Sequence, residues 1–137
     1  MTFSIPWLAV IVAAISFFIF GALWYTYFGD LWLKAIGKRK EDLNPKDPIP
    51  YLTAAIACVL NAIATALVID LIWPLTATRI MTAFMVGLLL GGAVFAAGLA
   101  KHYAFAGRSW NLFMIDACHD ILGFMLMSLV IVLMRPV

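Results

Sequence analysis

The sequence predicts an all-α integral membrane protein built as one bundle of four transmembrane helices. Composition is the first reason, because 66% of the 137 residues are hydrophobic and only 12% are charged, whereas soluble domains average about 45–50% and about 25%. Length is the second, because four apolar runs each have the roughly 20 residues that cross a bilayer. They cover residues 7–28, 51–73, 80–100 and 112–134. The connections are too short for a soluble catalytic domain, so we expect residues 1–137 to form one four-span domain.

Aromatic residues mark the ends of the predicted spans. Rings with a polar edge favour the boundary between lipid and water, where their bodies are buried and their polar ends stay wet. The predicted interface anchors are Trp7, Trp24, Tyr25, Trp32, Trp73 and Trp110. The rings near the end of the first run could alternatively line a binding site. Gly21 lies on a smooth stripe of that run, where another helix can pack closely.

Residues 29–50 form the longest connection between predicted spans. Its first part is a short amphipathic turn on the membrane surface, which Gly37 would close. Lys38, Arg39 and Lys40 follow, and they are expected to face anionic headgroups. The prolines after them prevent a helix until the second run begins.

The second run carries two polar groups with different expected partners. Asn61 lies about halfway along the run, and a polar amide in hydrocarbon seeks a hydrogen bond. We expect Asn61 to meet Asp120 of the last run. Asp70 lies near the far end of the second run, where it can reach headgroups or pair with Arg79 across a short turn.

The third run contains spacings that favour close helix crossing. Three residues separate Gly87 from Gly91, and three separate Gly92 from Ala96. Small residues at this spacing let helix backbones approach closely in lipid. The crossing lies either inside the bundle or between subunits, so we expect self-association or a membrane-protein partner.

The last run is the most informative, because it holds two carboxylates and an imidazole. At about 100° per residue, Asp116, His119 and Asp120 share one helix face. An Asp at the centre of a membrane helix costs about 2.5–3.5 kcal/mol, so this face must turn inward, toward other helices or water. With Asn61, these residues form the predicted intramembrane polar cluster.

The basic residues predict an orientation in the membrane. Seven of the nine Lys and Arg residues fall on one side of the predicted spans, and only Arg79 and Arg135 fall on the other. The seven are Lys34, Lys38, Arg39, Lys40, Lys46, Lys101 and Arg108. Because short basic loops stay in the cytoplasm, we expect residues 29–50 and 101–111 to be cytoplasmic and both termini to be outside.

Two segments resemble a known family. Residues 21–37, GALWYTYFGDLWLKAIG, resemble the opening signature of the DUF1761 family of small bacterial integral membrane proteins. The last run, with Asp116 and the Arg-x-x-x-Leu/Phe stretch before it, is similar to the closing segment of that family. Family members commonly carry a Ser-Pro insert between Trp-Tyr and Phe-Gly, where this chain has only Thr26 and Tyr27. The resemblance implies four helices in a bacterial cytoplasmic membrane and implies no activity.

Three functions remain open on the sequence alone. The polar cluster could stabilise a structural or accessory bundle, with its Asp and His groups hydrogen-bonded to Asn61, Trp24 or Tyr25. It could instead carry protons or small cations, since ionisable groups within spans often mark such pathways. Alternatively, Asp116, His119 and Asp120 could supply metal ligands, and no other cofactor is expected. The sequence has no recognisable nucleophile–base pair and no glycine-rich phosphate loop, so we do not expect an enzyme. A net charge of +2 gives no reason to expect nucleic-acid binding.

Overall fold

The computed structural model describes residues 5–135, and within that range the chain is all-α, without a β-strand. The long helices are α1 (Trp7–Tyr27), α3 (Ile49–Ile72), a third that runs from Arg79 to Phe105, and α6 (Trp110–Leu133). The third long helix consists of α4 (Arg79–Gly87), a π-helical segment (Leu88–Ala96) and α5 (Ala97–Phe105). All four are long and apolar enough to cross a membrane. The predicted fold class is therefore confirmed.

Shorter elements join the long helices. The amphipathic helix α2 (Gly29–Ile36) follows α1 directly and ends at Gly37, whose φ of 71° is left-handed, as the sequence predicts. Single 3₁₀ turns cover Lys40–Asp42 and Trp73–Leu75. The hydroxyl of Ser109 caps α6 by accepting a hydrogen bond from the amide of Leu112, at 3.2 Å. Such a cap satisfies a backbone donor that the first helical turn leaves free.

The four long helices alternate in direction, and α6 lies at the centre of their contacts. It packs against α4, the π-helical segment and α1, and it touches α3 less extensively. The connections at residues 37–48 and 106–109 therefore meet at one end of the bundle, which we call the loop end. Residues 76–78 connect helices at the opposite end, which we call the turn end. As a consequence, α3 and α6 run in the same direction.

The apolar core occupies the half of the bundle nearer the turn end. Its fully buried large side chains include Val10 of α1, Ile69 of α3 and Val86 of α4, which pack around α6. The core residues of α6 are Phe124, Met127, Ile131 and Val132. Residues 49–57 of α3, by contrast, are exposed throughout. At the loop end, therefore, α3 is not packed against the other helices, and the polar groups lie among α1, α5 and α6.

An ion pair closes the turn end. Asp70 of α3 pairs with Arg135, just beyond α6, and both side chains are mostly buried. The predicted pair with Arg79 is wrong, because the Arg79 guanidinium lies 5.9 Å from the centre of the Trp73 ring instead. Arg135 lies over the same ring at 5.5 Å. Cations at this distance from an indole are attracted to its face.

Candidate functional site

Asp116 joins three helices at the loop end. Its two carboxylate oxygens accept hydrogen bonds from Tyr25 of α1 and Tyr103 of α5, each at 2.7 Å. The Asp116 residue is only 8% exposed. A buried acceptor left without a donor would cost about 1–3 kcal/mol, and here each oxygen has its own hydroxyl. The carboxylate therefore links α1 and α5 through α6.

His119 and Asp120 form a second polar pair one turn further along α6. The imidazole Nδ1 lies 3.0 Å from Oδ1 of Asp120. The His119 side chain is 14% exposed and that of Asp120 is 24% exposed. Within residues 5–135, the buried Nε2 of His119 has no hydrogen-bond partner. The imidazole thus has one nitrogen engaged and the other turned into the protein.

Aromatic rings of α1 surround the His119 imidazole. Phe17 and Phe20 stack on it with ring centres 5.3 Å and 5.6 Å away. Tyr25 lies 5.1 Å away at an angle, and Trp24 lies 6.3 Å away. Because ring faces carry partial negative charge, such an enclosure suits a cation better than an anion.

Two glycines make room for this arrangement. A methyl group at Gly21 would come within 3.1 Å of His119 Nε2, and one at Gly123 would overlap the Phe17 ring. Gly21 thus packs against the His119 imidazole, next to the nitrogen that has no partner. Gly123, which lies on the face of the predicted cluster, lets Phe17 approach α6 closely.

Asn61 lies apart from the other predicted members of the cluster. No hydrogen bond joins Asn61 to Asp120 in the described part of the chain. Thr65 approaches α6 instead, with its hydroxyl 3.4 Å from the sulfur of Met127. Because α3 and α6 run in the same direction, Asn61 lies level with Gly123, about one turn from Asp120. The expected Asn61–Asp120 contact is absent for this reason.

The glycines of the third long helix divide into two groups. Methyl groups at Gly87 and Gly91 would lie 2.7 Å from the Cα atoms of Met125 and Ile121, so both glycines pack directly on α6. A methyl group at Gly92 would have no neighbour within 4 Å. The close crossing therefore lies inside the bundle for the first two glycines, whereas Gly92 faces away from it.

The predicted interface anchors also divide. Trp7 and Trp110 are 59% and 70% exposed, as expected of residues at a lipid boundary. Trp24 and Tyr25 instead turn toward α6, where the Trp24 indole donates to the carbonyl of Ile115 at 3.2 Å. Their polar atoms thus have partners within the bundle, whereas the prediction places them in the headgroup region. The half-buried rings of Trp32 and Trp73 contact other side chains.

One of the two donors to Asp116 follows from the sequence and the other does not. Tyr25 is predicted as an anchor or, alternatively, as a hydrogen-bond partner of the buried Asp and His groups, whereas Tyr103 has no predicted role. A signal was present in their positions, because each lies two residues before the end of its long helix and Asp116 lies near the start of α6. In an alternating bundle these positions fall at one depth. A buried carboxylate at that depth needs donors, and tyrosines supply them.

Metal binding would require Asp116, His119 and Asp120 to converge with further ligands. Among residues 5–135, no group of three or more His, Cys, Asp or Glu side chains could hold a metal ion. Tyr25 and Tyr103 already occupy both oxygens of Asp116. The predicted ligand set of Asp116, His119 and Asp120 therefore receives no support from this geometry.

These features define an all-helical membrane protein with an enclosed polar site near one end of its helices. The sequence matches the family described as "Protein of unknown function (DUF1761)" over residues 8–132. The chain therefore belongs to the DUF1761 family, which confirms the resemblance of its first and last segments. No curated protein matches it, and no solved structure does.

Proposed function

We propose that this protein is a non-enzymatic membrane bundle that serves as a structural or accessory component of a larger membrane assembly. One observation carries the proposal: both oxygens of the Asp116 carboxylate bond to tyrosine hydroxyls from two other helices. Hydrogen bonds between helices partly replace the hydrophobic driving force that is missing in lipid. A carboxylate whose two oxygens both accept hydrogen bonds from other helices stabilises the packing of those helices.

Tyrosine substitutions test this role of Asp116. Tyr25→Phe and Tyr103→Phe each leave one carboxylate oxygen without a donor, so each should lower stability by about 1–3 kcal/mol. Tyr27→Phe and Tyr51→Phe are matched controls, because Tyr27 and Tyr51 are 83% and 57% exposed and should change nothing. The measurement is the thermal unfolding temperature in detergent, with helix content followed by circular dichroism.

A double-mutant cycle makes the test specific to Asp116. If Tyr25 stabilises the bundle through the carboxylate, Tyr25→Phe should cost much less in an Asp116→Asn background than in the wild type. Equal costs in the two backgrounds, or unfolding temperatures like those of the control variants, would contradict the proposal.

We further propose that the bundle self-associates or joins another membrane protein. Asp120 is ten residues into α6, about 15 Å along an axis that crosses about 30 Å of hydrocarbon. Its side chain is 24% exposed there, and residues 49–57, the loop-end part of α3, are exposed as well. A carboxylate facing lipid at this depth is unfavourable. A second membrane-spanning chain would cover it.

Mass measurement tests the association. We expect wild-type protein in nanodiscs to have the mass of a dimer or a larger assembly, and Asp120→Leu to shift it toward the monomer because a leucine is compatible with lipid. Asn61→Leu, a matched polar-to-apolar change on α3, should leave the mass unchanged. A wild type that stays monomeric at every protein concentration would refute self-association.

Proton or small-cation permeation is the second candidate function. It is favoured by one observation, the unpartnered Nε2 of His119 beside a nitrogen that contacts Asp120. An imidazole with one engaged nitrogen and one free nitrogen can accept a proton at one and release it at the other. Metal binding has no comparable support and is not proposed.

We also propose that the loop end faces the cytoplasm of a bacterial inner membrane, with both termini outside. Its support is the distribution of charge, because seven of the nine basic residues lie at or beside the loop end. Short basic segments next to membrane spans are retained in the cytoplasm.

A further inference from the structure

A cavity of about 260 Å³ lies at the loop end. It is lined by Trp32, Ile36, Lys38, Tyr103, Arg108 and Leu112. These residues come from α2, α5, α6 and the segments that follow α2 and α5. Two cations therefore share one small space with apolar and aromatic walls, at the depth where the chain leaves the bundle.

The same backbone motif positions both cations. The helices α2 and α5 each end in a glycine with left-handed backbone, and the cation is the next residue. The two glycines are Gly37 (φ 71°) and Gly107 (φ 63°). In each case the cation's own amide donates to a carbonyl of the last helical turn, Lys38 to Leu33 at 3.0 Å and Arg108 to Tyr103 at 2.9 Å. Backbone amides thus cap these helix ends, so the charged side chains are not needed for that task.

Both cations lack an acidic partner. In the part of the chain that the structure describes, salt bridges join Arg39 to Asp42, His119 to Asp120 and Asp70 to Arg135, and none includes Lys38 or Arg108. The closest buried carboxylate behind the cavity wall is Asp116, whose oxygens accept from Tyr25 and Tyr103. The positive charge at the cavity is therefore available to an outside anion.

We propose that this cavity binds the phosphate of an anionic membrane-surface ligand, with Lys38 and Arg108 as its charged contacts. Guanidinium and ammonium groups together suit phosphate oxygens, and Arg can bind two of them at once. At about 30 Å³ per water molecule, the cavity has room for roughly nine waters. That space fits a phosphate with its glycerol and the first carbons of the acyl chains, whereas the rest of each chain would remain in the bilayer.

The apolar part of the cavity favours a phospholipid as the source of this phosphate. Trp32, Ile36 and Leu112 offer a wall that suits the glycerol and the upper acyl segments of a lipid. Basic residues beside a membrane span attract anionic headgroups by about 1 kcal/mol each, which is a factor of about five in affinity. A soluble phosphate ester would use the same two cations without this wall.

Native mass spectrometry of detergent-purified protein with added phosphatidylglycerol tests the site. We expect one lipid retained per chain, with affinity reduced about tenfold or more in Lys38→Gln and in Arg108→Gln, because each change removes a charge-assisted hydrogen bond to the phosphate. Lys40→Gln and Lys101→Gln are matched controls, because they remove the same charge near the same end from exposed residues that do not line the cavity. Arg108→Lys keeps the charge and should retain most of the binding.

Two further arms identify the source of the phosphate. Phosphatidylcholine should be retained less than phosphatidylglycerol, because its headgroup carries no net negative charge. The second arm is competition with glycerol 3-phosphate. If it displaces phosphatidylglycerol only at a large excess, the ligand is the lipid. If it does so at equal concentration, the ligand is a soluble phosphate compound that binds at the same site. Equal losses in the cavity variants and the Lys40 and Lys101 controls, or equal retention of the two lipids, would overturn the proposal. The unfolding temperature without lipid shows whether each variant is folded.

Discussion

At the scale of single residues, the surroundings of His119 are not those of a side chain that only fills space in the core. Phe17 and Phe20 stack on its ring, Asp120 contacts one nitrogen, and Gly21 leaves space beside the other. A buried nitrogen without a partner normally costs stability. A nitrogen that exchanges protons or contacts a transient ligand would need to be left without a permanent partner, as this one is.

Proton flux measures whether this geometry is used. Proteoliposomes containing wild-type protein should dissipate an imposed pH gradient faster than empty liposomes, and His119→Ala and Asp120→Asn should reduce the rate at least about tenfold. His102→Ala is the matched control, because His102 is the only other histidine and is exposed on α5. A wild-type rate equal to that of empty liposomes would exclude permeation and leave the structural role.

The polar face of α6 could be predicted from sequence, whereas its partners could not. Helical periodicity places Asp116, His119 and Asp120 on one face, and the cost of a charge in lipid turns that face inward. The sequence offers Asn61, Trp24 and Tyr25 as possible partners and does not decide among them. Tyr25 is equally consistent with a lipid boundary and with the bundle interior, because a phenol suits both. Only the packing of α1 against α6 decides between them.

At the scale of elements, the π-helical segment Leu88–Ala96 determines which face of the third long helix Tyr103 occupies. A regular α-helix would turn Tyr103 roughly 120° away from the face of Gly91, which packs on α6. A π-helix bonds each residue to the fifth one along and so rotates less per residue. The segment therefore brings Tyr103 back toward α6, where its hydroxyl reaches Asp116.

The π-helical segment could not be predicted from the sequence, for a physical reason. The run LLLGGAVFA has no proline and no polar interruption, so α- and π-helical turns expose the same apolar surface to lipid. The close contacts of Gly87 and Gly91 with α6 are tertiary, and local propensity does not contain them. The glycine spacing predicts a close crossing, yet it does not distinguish Gly91, which makes that crossing, from Gly92, which does not.

At the scale of the whole molecule, the two ends have different physical characters. The turn end contains the packed core and two basic residues, whereas the loop end contains the polar site, the basic cavity and seven basic residues. Composition and run length suffice to predict four spans, because both follow from the thickness of a bilayer. The placement of the apolar core nearer one end and of the polar site nearer the other depends on how α3 packs against α6, which no single helix specifies.

Cysteine labelling tests the orientation that this charge asymmetry implies. In a background with Cys58→Ala and Cys118→Ala, which removes both native thiols, single cysteines at Lys40→Cys and Ala77→Cys place one exposed thiol at each end. Because seven basic residues should hold the loop end in the cytoplasm, a membrane-impermeant maleimide should label Ala77→Cys in right-side-out spheroplasts. It should label Lys40→Cys only after the membrane is permeabilised. Detergent-solubilised samples, in which both thiols must react, provide the control. The reverse pattern would show that the loop end faces outward and that the cavity with Lys38 and Arg108 meets the outer leaflet.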